Sequence, residues 1–390
     1  MKHIIVFALL ISLYSHTYAG IYNDSLHNWI FPIKYKIGDN VSNYKSDITK
    51  AFELIQNNTC LNFTKNDNLS INESGITFVN DDNTCRADKI GKKEDNTTNY
   101  IYLSSNCGQN PTFIASLIFH TLGMFPEQTR QDRDNNVFIT EDYLKDDTNL
   151  IYFNKSDPSI TSDYDTHYDY GSVVQYSGKS FSKYDDKYTI DAFGSYGHLY
   201  QLMLGQKNTI PFNNYKLLNR RFCNNTCERI ENQCKNGGYI NPRKCNECIC
   251  PYPFDSKSKC ETLIKSDDGC PENTTIKDET SFSIKGEKKC YIKFSANKNA
   301  TLLGRPLFGP RIAMLTVTKL NVKNQNPCAR NSSMIEIKYK KDLDVMGLCV
   351  CNLESYPLKV TSESSDIYLF YNGKPSDSVE FKVTYDIFLR

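Results

Sequence analysis

The sequence has no excess of charge of either sign. Lys and Arg total 46 against 45 Asp and Glu, for a formal net charge of +1. That balance excludes a strongly basic nucleic-acid binder, leaving only the case of a local patch. Gly (19) and Pro (14) are few in 390 residues, which excludes collagen-like and low-complexity chains. Beyond the N-terminus no apolar run approaches the ~18 residues of a membrane span, so no membrane span is expected. Histidine is also scarce, at 6 residues. Every reading that needs several imidazoles at one site is limited by that number.

What is abundant is cysteine, at 15 residues, unevenly placed. Cys60, Cys85 and Cys107 stand alone in the first half, and the rest lie between Cys223 and Cys351. Such density implies structural disulfides and an oxidising compartment. The N-terminus agrees. Ile4 to Tyr14 is apolar but too short to span a bilayer, and Ser15-His16-Thr17-Tyr18-Ala19 ends in a small residue suited to signal-peptidase cleavage. Residues 1–19 therefore read as a signal peptide rather than a buried helix, and the product is expected to be secreted and extracellular. Asn-x-Ser/Thr sequons at Asn23, Asn40, Asn57, Asn62, Asn68, Asn72, Asn96, Asn154, Asn224, Asn273, Asn299 and Asn331 predict N-linked glycans.

The length suggests two or three domains. Residues 20–222 form a large Cys-poor unit, 223–260 a small Cys-dense unit and 270–390 a strand-rich one. Ile312 to Val322, Met334 to Lys340, Ile367 to Tyr371 and Val379 to Phe388 are rich in β-branched and aromatic residues and several alternate apolar with polar. Asn372-Gly373 marks a turn between the last two. An all-β sandwich follows for this unit. In the small unit, six Cys within 34 residues leave no room for an ordinary core, so bridges must stabilise it. Two zinc sites are the alternative, opposed by the leader and by the absence of His in the stretch.

Chemistry concentrates between Thr112 and Asp134. Phe113 to Leu122 is an apolar helix closed by Gly123, followed by the charged Glu127-Gln128-Thr129-Arg130-Gln131-Asp132-Arg133-Asp134. This segment resembles the active-site region of the astacin family of zinc endopeptidases, H-E-x-x-H-x-x-G-x-x-H followed by E-Q-x-R-x-D-R-D. Tyr168 to Tyr176 (YDYGSVVQY) is similar to the family's Met-turn, Y-D-Y-x-S-x-M-H-Y. The resemblance covers residues 20–223. It implies an α+β, metzincin-like domain of two subdomains with a cleft between them and bridges Cys60–Cys223 and Cys85–Cys107. One long helix is expected near Ser46 to Gln56 and the other carries His120. The small unit resembles an EGF-like module, which implies Cys227–Cys245, Cys234–Cys248 and Cys250–Cys260. The last unit resembles a CUB domain, which implies Cys270–Cys290 and a second bridge from Cys328, assigned to Cys349. Cys349 and Cys351 compete for it, and the odd thiol is free, intermolecular or reshuffled.

In the resembled family three His hold zinc and a Glu acts as general base on the metal-bound water. Here the first ligand position is Ser116, the general-base position Leu117, the second ligand position His120 and the third Pro126. Leu117 cannot accept a proton. The Met-turn Met is Val174 and the following His is Gln175, while Tyr176 keeps the place of the Tyr that contacts zinc. The other His beyond the leader, His27, His167 and His198, occupy no ligand position. The resemblance thus implies an inactive homologue with no cofactor that acts by binding an extracellular protein or peptide. Zinc returns only under the alternative, a working endopeptidase with unusual ligands. A third reading is an extracellular protein that interacts through the EGF-like and CUB-like modules alone. Cleavage after Ala19 leaves no room for a propeptide, and the new Gly20 ammonium is expected to approach Glu127.

Overall fold

The computed structural model describes residues 20–228, 230–297, 301–302, 305–306, 311–323, 325–353 and 357–387. The leader assigned to 1–19 and the sequon at Asn299 lie outside these residues.

The first half is built on a five-stranded sheet. Its spatial order is Phe63–Lys65, Ile33–Ile37, Ile76–Asn80, Asn99–Leu103 and Arg86–Ala87. The first four strands are parallel and the short last one is antiparallel. Ile33, Ile76, Phe78 and Ile101 put their side chains into the core at period two, as one-sided strands must. Helix α1 (Lys45–Asn58) buries Ile48, Ala51, Phe52 and Ile55 on one face and packs against helix α2 (Pro111–Thr121). Both helices run slightly longer than their apolar patterns. Helix α2 starts at an Asn110 cap whose side chain accepts from the Thr112 and Phe113 amides, with Pro111 in the first turn. It stops at Gly123, whose φ of +103° is a backbone state that side-chain-bearing residues avoid.

From Met124 onward regular structure is sparse: short ribbons, 3₁₀ turns, α3 (Gly197–Gln201) and α4 (Phe212–Phe222). The Cys60–Cys223 bridge ties the end of α4 to the end of α1, and Cys85–Cys107 closes the second loop. The domain is α+β.

The small unit carries one hairpin, Tyr239–Asn241 with Lys244–Ile249, and the bridges Cys227–Cys245, Cys234–Cys248 and Cys250–Cys260. The last unit packs two sheets face to face. One orders Thr274–Ile276, Lys289–Ala296, Asp366–Asn372, Met334–Lys338 and Leu348–Val350. The other orders Thr280–Lys285, Ser378–Ile387, Arg311–Asn321 and Leu358–Thr361. Phe294, Leu315, Leu369 and Phe381 fill the space between them.

The chain turns after Asn372, and Asp366–Asn372 and Ser378–Ile387 on either side of the turn lie in different sheets. One expectation is corrected here: the expected Cys328–Cys349 bridge does not form. Cys328 is bonded to Cys351, with Cα atoms 5.7 Å apart, and Cys349 is a buried free thiol. Cys349 is held in the ladder opposite Glu336, whereas Cys351 lies just past the end of its strand and turns toward Cys328. Cys270–Cys290 is bonded.

The sandwich is not an appendage. Tyr170, Tyr200, Met203 and Leu204 of the first domain share one core with Leu348, Cys349 and Val350 of the last. Tyr200 and Tyr339 exchange a hydroxyl hydrogen bond at 2.9 Å, and the Met346 amide donates to Asp169 Oδ2 at 3.0 Å. Lys216 Nζ pairs with Asp344 at 2.8 Å, both side chains largely buried.

Candidate functional site

The site forms where α2 meets the 168–176 turn and the loop that begins at Glu127. Residues three and four apart on a helix share a face, so Phe113, Ser116, Leu117 and His120 follow one another along α2. All three site positions on the helix are buried. Ser116 Oγ turns back and donates to the Phe113 carbonyl at 2.7 Å, satisfying itself within its own helix. Leu117 belongs to the apolar core of the first half. His120 Nδ1 bonds the Met124 carbonyl at 2.8 Å. A carbonyl only accepts, so that nitrogen carries the hydrogen and Nε2 is left as the acceptor. Burial pushes the His120 pKa down to about 4, opposed by the Met124 bond and aided by the Lys207 charge. The imidazole is neutral at pH 7.

Pro126 is buried and offers only its carbonyl, which accepts from the Thr129 amide and hydroxyl. Val174 packs with Val173 into the same core as Leu117 and Phe119. Tyr176 stands edge-on to His120 at 6.4 Å between ring centres, with Tyr152 and Phe181 beside it. Burial raises its hydroxyl pKa above the ordinary value.

The charged loop is structural. Gln128 Oε1 accepts from the Tyr176 amide at 3.1 Å and its Nε2 donates to the Tyr152 carbonyl at 3.0 Å. Arg130 grips Asp132 at 2.8 and 2.9 Å and donates to the Thr166 carbonyl at 2.7 Å. Glu127 accepts from the Asp169 amide at 3.1 Å and lies 3.6 Å from Arg130 Nε. Burial nevertheless pushes the Glu127 pKa up to about 7. Gly20 is buried close by. Its carbonyl accepts from Phe125 at 2.9 Å, two residues before Glu127.

One group here carried no sequence signal. Lys207 keeps part of its surface on solvent, but its ammonium turns inward, donating to the Val173 and Gln175 carbonyls of the turn. The Phe113 ring is 5.6 Å away, and burial holds the amine pKa down to about 7. Asn110, the cap of α2, donates to the Lys207 carbonyl at 3.1 Å. A lone Lys in a polar loop matches no motif, and only the fold brings it to the turn.

Catalytic zinc takes three protein ligands. The only family ligand position here that still offers an imidazole is His120. Ser116 has spent its hydroxyl, Pro126 has no side-chain donor, and a Lys ammonium faces the turn. Among the described residues no cluster of three or more His, Cys, Asp or Glu is arranged to hold a metal ion. The residues do not fit a catalytic zinc. His27, His167 and His198 are not brought to the site: His27 pairs with Asp24, and His167 lies between Asp342 and Asp344 of the sandwich.

Residues 22–223 match the family model described as Astacin, a peptidase family. The chain belongs to the astacin family. Astacin-family relatives include "Zinc metalloproteinase dpy-31" of Teladorsagia circumcincta, 36% identical over 234 residues, covering 60% of this chain and 36% of that protein. The Haemonchus contortus protein of the same name is 35% identical over 60% of this chain and 41% of its own. "Zinc metalloproteinase nas-34" of Caenorhabditis elegans is 27% identical over 92% of this chain and 56% of that one. The chain thus spans less than half the length of the first two astacins. Among solved structures, high choriolytic enzyme 1 (HCE-1), a hatching enzyme zinc-protease of Oryzias latipes, is 23% identical with a TM-score of 0.41, covering 48% of this chain and 86% of that one. Among the described residues no helix is long and apolar enough to cross a membrane.

Proposed function

We propose that this chain is a secreted astacin homologue that does not hydrolyse peptide bonds and works by binding an extracellular protein or peptide. One observation carries the reading: at the three lost positions, Ser116, Leu117 and Pro126 are each engaged in structure rather than left vacant. Leu117 supplies no proton acceptor, so water at this place has no base. The scaffold around it, from the Gln128 and Arg130 bonds to the bridges, is intact, and this reading assigns it the capture of an extended peptide by strand addition. The small unit and the sandwich are read as EGF-like and CUB-like interaction modules, and the exposed sequons as glycan carriers.

Within the same reading, the Gly20 ammonium made by cleavage after Ala19 neutralises Glu127. Glu127→Gln should then leave a buried ammonium unpaired and loosen residues 20–23. Unchanged amide exchange there would sink this contact.

The decisive test is zinc content by elemental analysis together with peptide hydrolysis. The natural chain should hold almost no zinc and cleave nothing, while Ser116→His/Leu117→Glu/Pro126→His serves as the control for restored ligands. The family relationship and the Nε2-accepting His120 favour a second reading, an endopeptidase with unusual ligands. Stoichiometric zinc and chelator-sensitive cleavage by the natural chain would establish it.

A further inference from the structure

A cavity of about 720 Å³ opens where all three units meet, and none of its walls belongs to the His120 site. Besides Ile210 and Ile249 its apolar lining is aromatic: Phe212 and Tyr215 of α4, Tyr252 of the small unit, and Tyr291 and Phe370 of the sandwich. Tyr291 and Phe370 stack at 5.0 Å, and Tyr252 meets Phe370 edge-on at 5.0 Å. Ser333 also lines it. That residue is 1% exposed and its Oγ has no hydrogen-bond partner among the described residues. A buried hydroxyl left unpaired costs free energy, and this one lies in the wall of the cavity.

At the same wall stands Asn331, exposed, the first residue of the sequon Asn331-Ser332-Ser333. Of the sequon asparagines among the described residues, it is the one that lines the cavity. Its Nδ2 donates to the Asn208 carbonyl at 2.8 Å, which directs the amide along the rim. An N-glycosidic link replaces one of the two amide hydrogens and leaves the other for Asn208.

We propose that this cavity is a glycan seat, filled by the first N-acetylglucosamine units of an oligosaccharide carried by Asn331 of the same chain. A pyranose presents a flat C–H face to aromatic rings and a polar edge to hydrogen-bonding groups. The rings answer the first requirement, and Glu287, Lys289 and Lys374, which line the same cavity, answer the second. The volume is that of small-molecule sites in general, and covalent tethering makes the docking intramolecular. The docked sugar would then fasten the first domain, the small unit and the sandwich together. The inference rests on the secretory reading above, since only a chain passing through that pathway acquires the sugar.

The test uses the full chain expressed through a eukaryotic secretory pathway with its glycans kept in oligomannose form. The native protein is digested with an endoglycosidase that cuts between the two core N-acetylglucosamines, and each sequon is followed by peptide mass spectrometry. The Asn331 glycan should be cut at least about tenfold more slowly than those at Asn72 and Asn273, and at the same rate after denaturation. Tyr252→Ala, which keeps the sequon, should abolish the protection at Asn331 alone. If that variant is not secreted, the natural chain decides by itself. Equal native cleavage at all sites, or an unmodified Asn331 beside occupied sequons, overturns the glycan seat. A chain without any glycan overturns the secretory reading as well.

Discussion

The two halves of the peptidase domain are held in different ways. The N-terminal half is built round its own elements: the parallel sheet, α1 and α2 form a core whose members come mostly from residues before Gly123, joined by Val173 and Val174 of the turn and by Tyr215, Leu217 and Leu218 of α4. The C-terminal half has little regular structure, and Tyr170, Tyr200 and Met203 complete their packing on the sandwich. The first is a folding unit with a lid of loops, whereas the second is half of an interface. Regular structure satisfies its backbone locally, and irregular chain must find partners outside itself. The candidate site lies on the seam, with His120 from the first half and the 168–176 turn from the second.

The sharpest way to break this contrast is to express residues 20–223 alone. The 33–103 sheet and α1 should keep slow amide exchange, while residues 136–206 should lose it almost wholly. Uniform protection would show that the second half needs no sandwich. Next in size, Arg330→Met would leave Glu336 (1% exposed) as a buried unpaired charge and should cost about 3–5 kcal/mol in denaturant unfolding. That loss should reach the Asp169–Met346 contact but spare the first half. Conversely, Phe78→Ala should cost about 3–5 kcal/mol and loosen the first half only.

Acid should act at the seam. His120 is neutral in the fold with its pKa lowered from 6.5 to about 4, so the unfolded chain binds the extra proton between those values. Its contribution is present above pH 6.5 and lost as pH falls toward 4, on the order of 3 kcal/mol. In the chain with residues 1–19 attached, Glu127 has the opposite sign: its pKa, raised from 4.5 to about 7, costs stability as pH rises through that window. A His120→Asn variant should therefore show a flatter acid limb than the natural chain in thermal melts between pH 4 and 6.5. The smallest effect belongs to Cys349, buried with its thiol pKa raised: native protein should resist thiol reagents and react after unfolding.

Much of the first half was legible because its signals are local. The Ile48, Phe52, Ile55 spacing predicts α1, and the observed helix extends it only to Lys45 and Asn58. Gly123 marks the end of α2, and the helix begins at Pro111, two residues before the apolar run that predicts it. The four strands expected in the sandwich fall within a residue or two of their β-branched runs, while the other five strands of the two sheets were not marked. The loop at 127–134 and the turn at 168–176 are the segments whose spacing resembles the family, and both flank α2 in the fold.

Other features were not legible, because they depend on residues far apart in the chain. Nothing in Cys349-Val350-Cys351 says which thiol leaves the ladder. Nothing near Lys207 says that its ammonium will turn to the carbonyls of Val173 and Gln175, or that Met346 will sit against Gly171. By itself the sequence determined the family and the two long helices of the first half, since periodicity and motif spacing are properties of neighbouring residues. Only the tertiary structure decided the partner of Cys328, the Lys at the turn and the fusion of two cores. Those choices rest on which surfaces meet in space, and buried groups must be satisfied by whatever the fold brings to them.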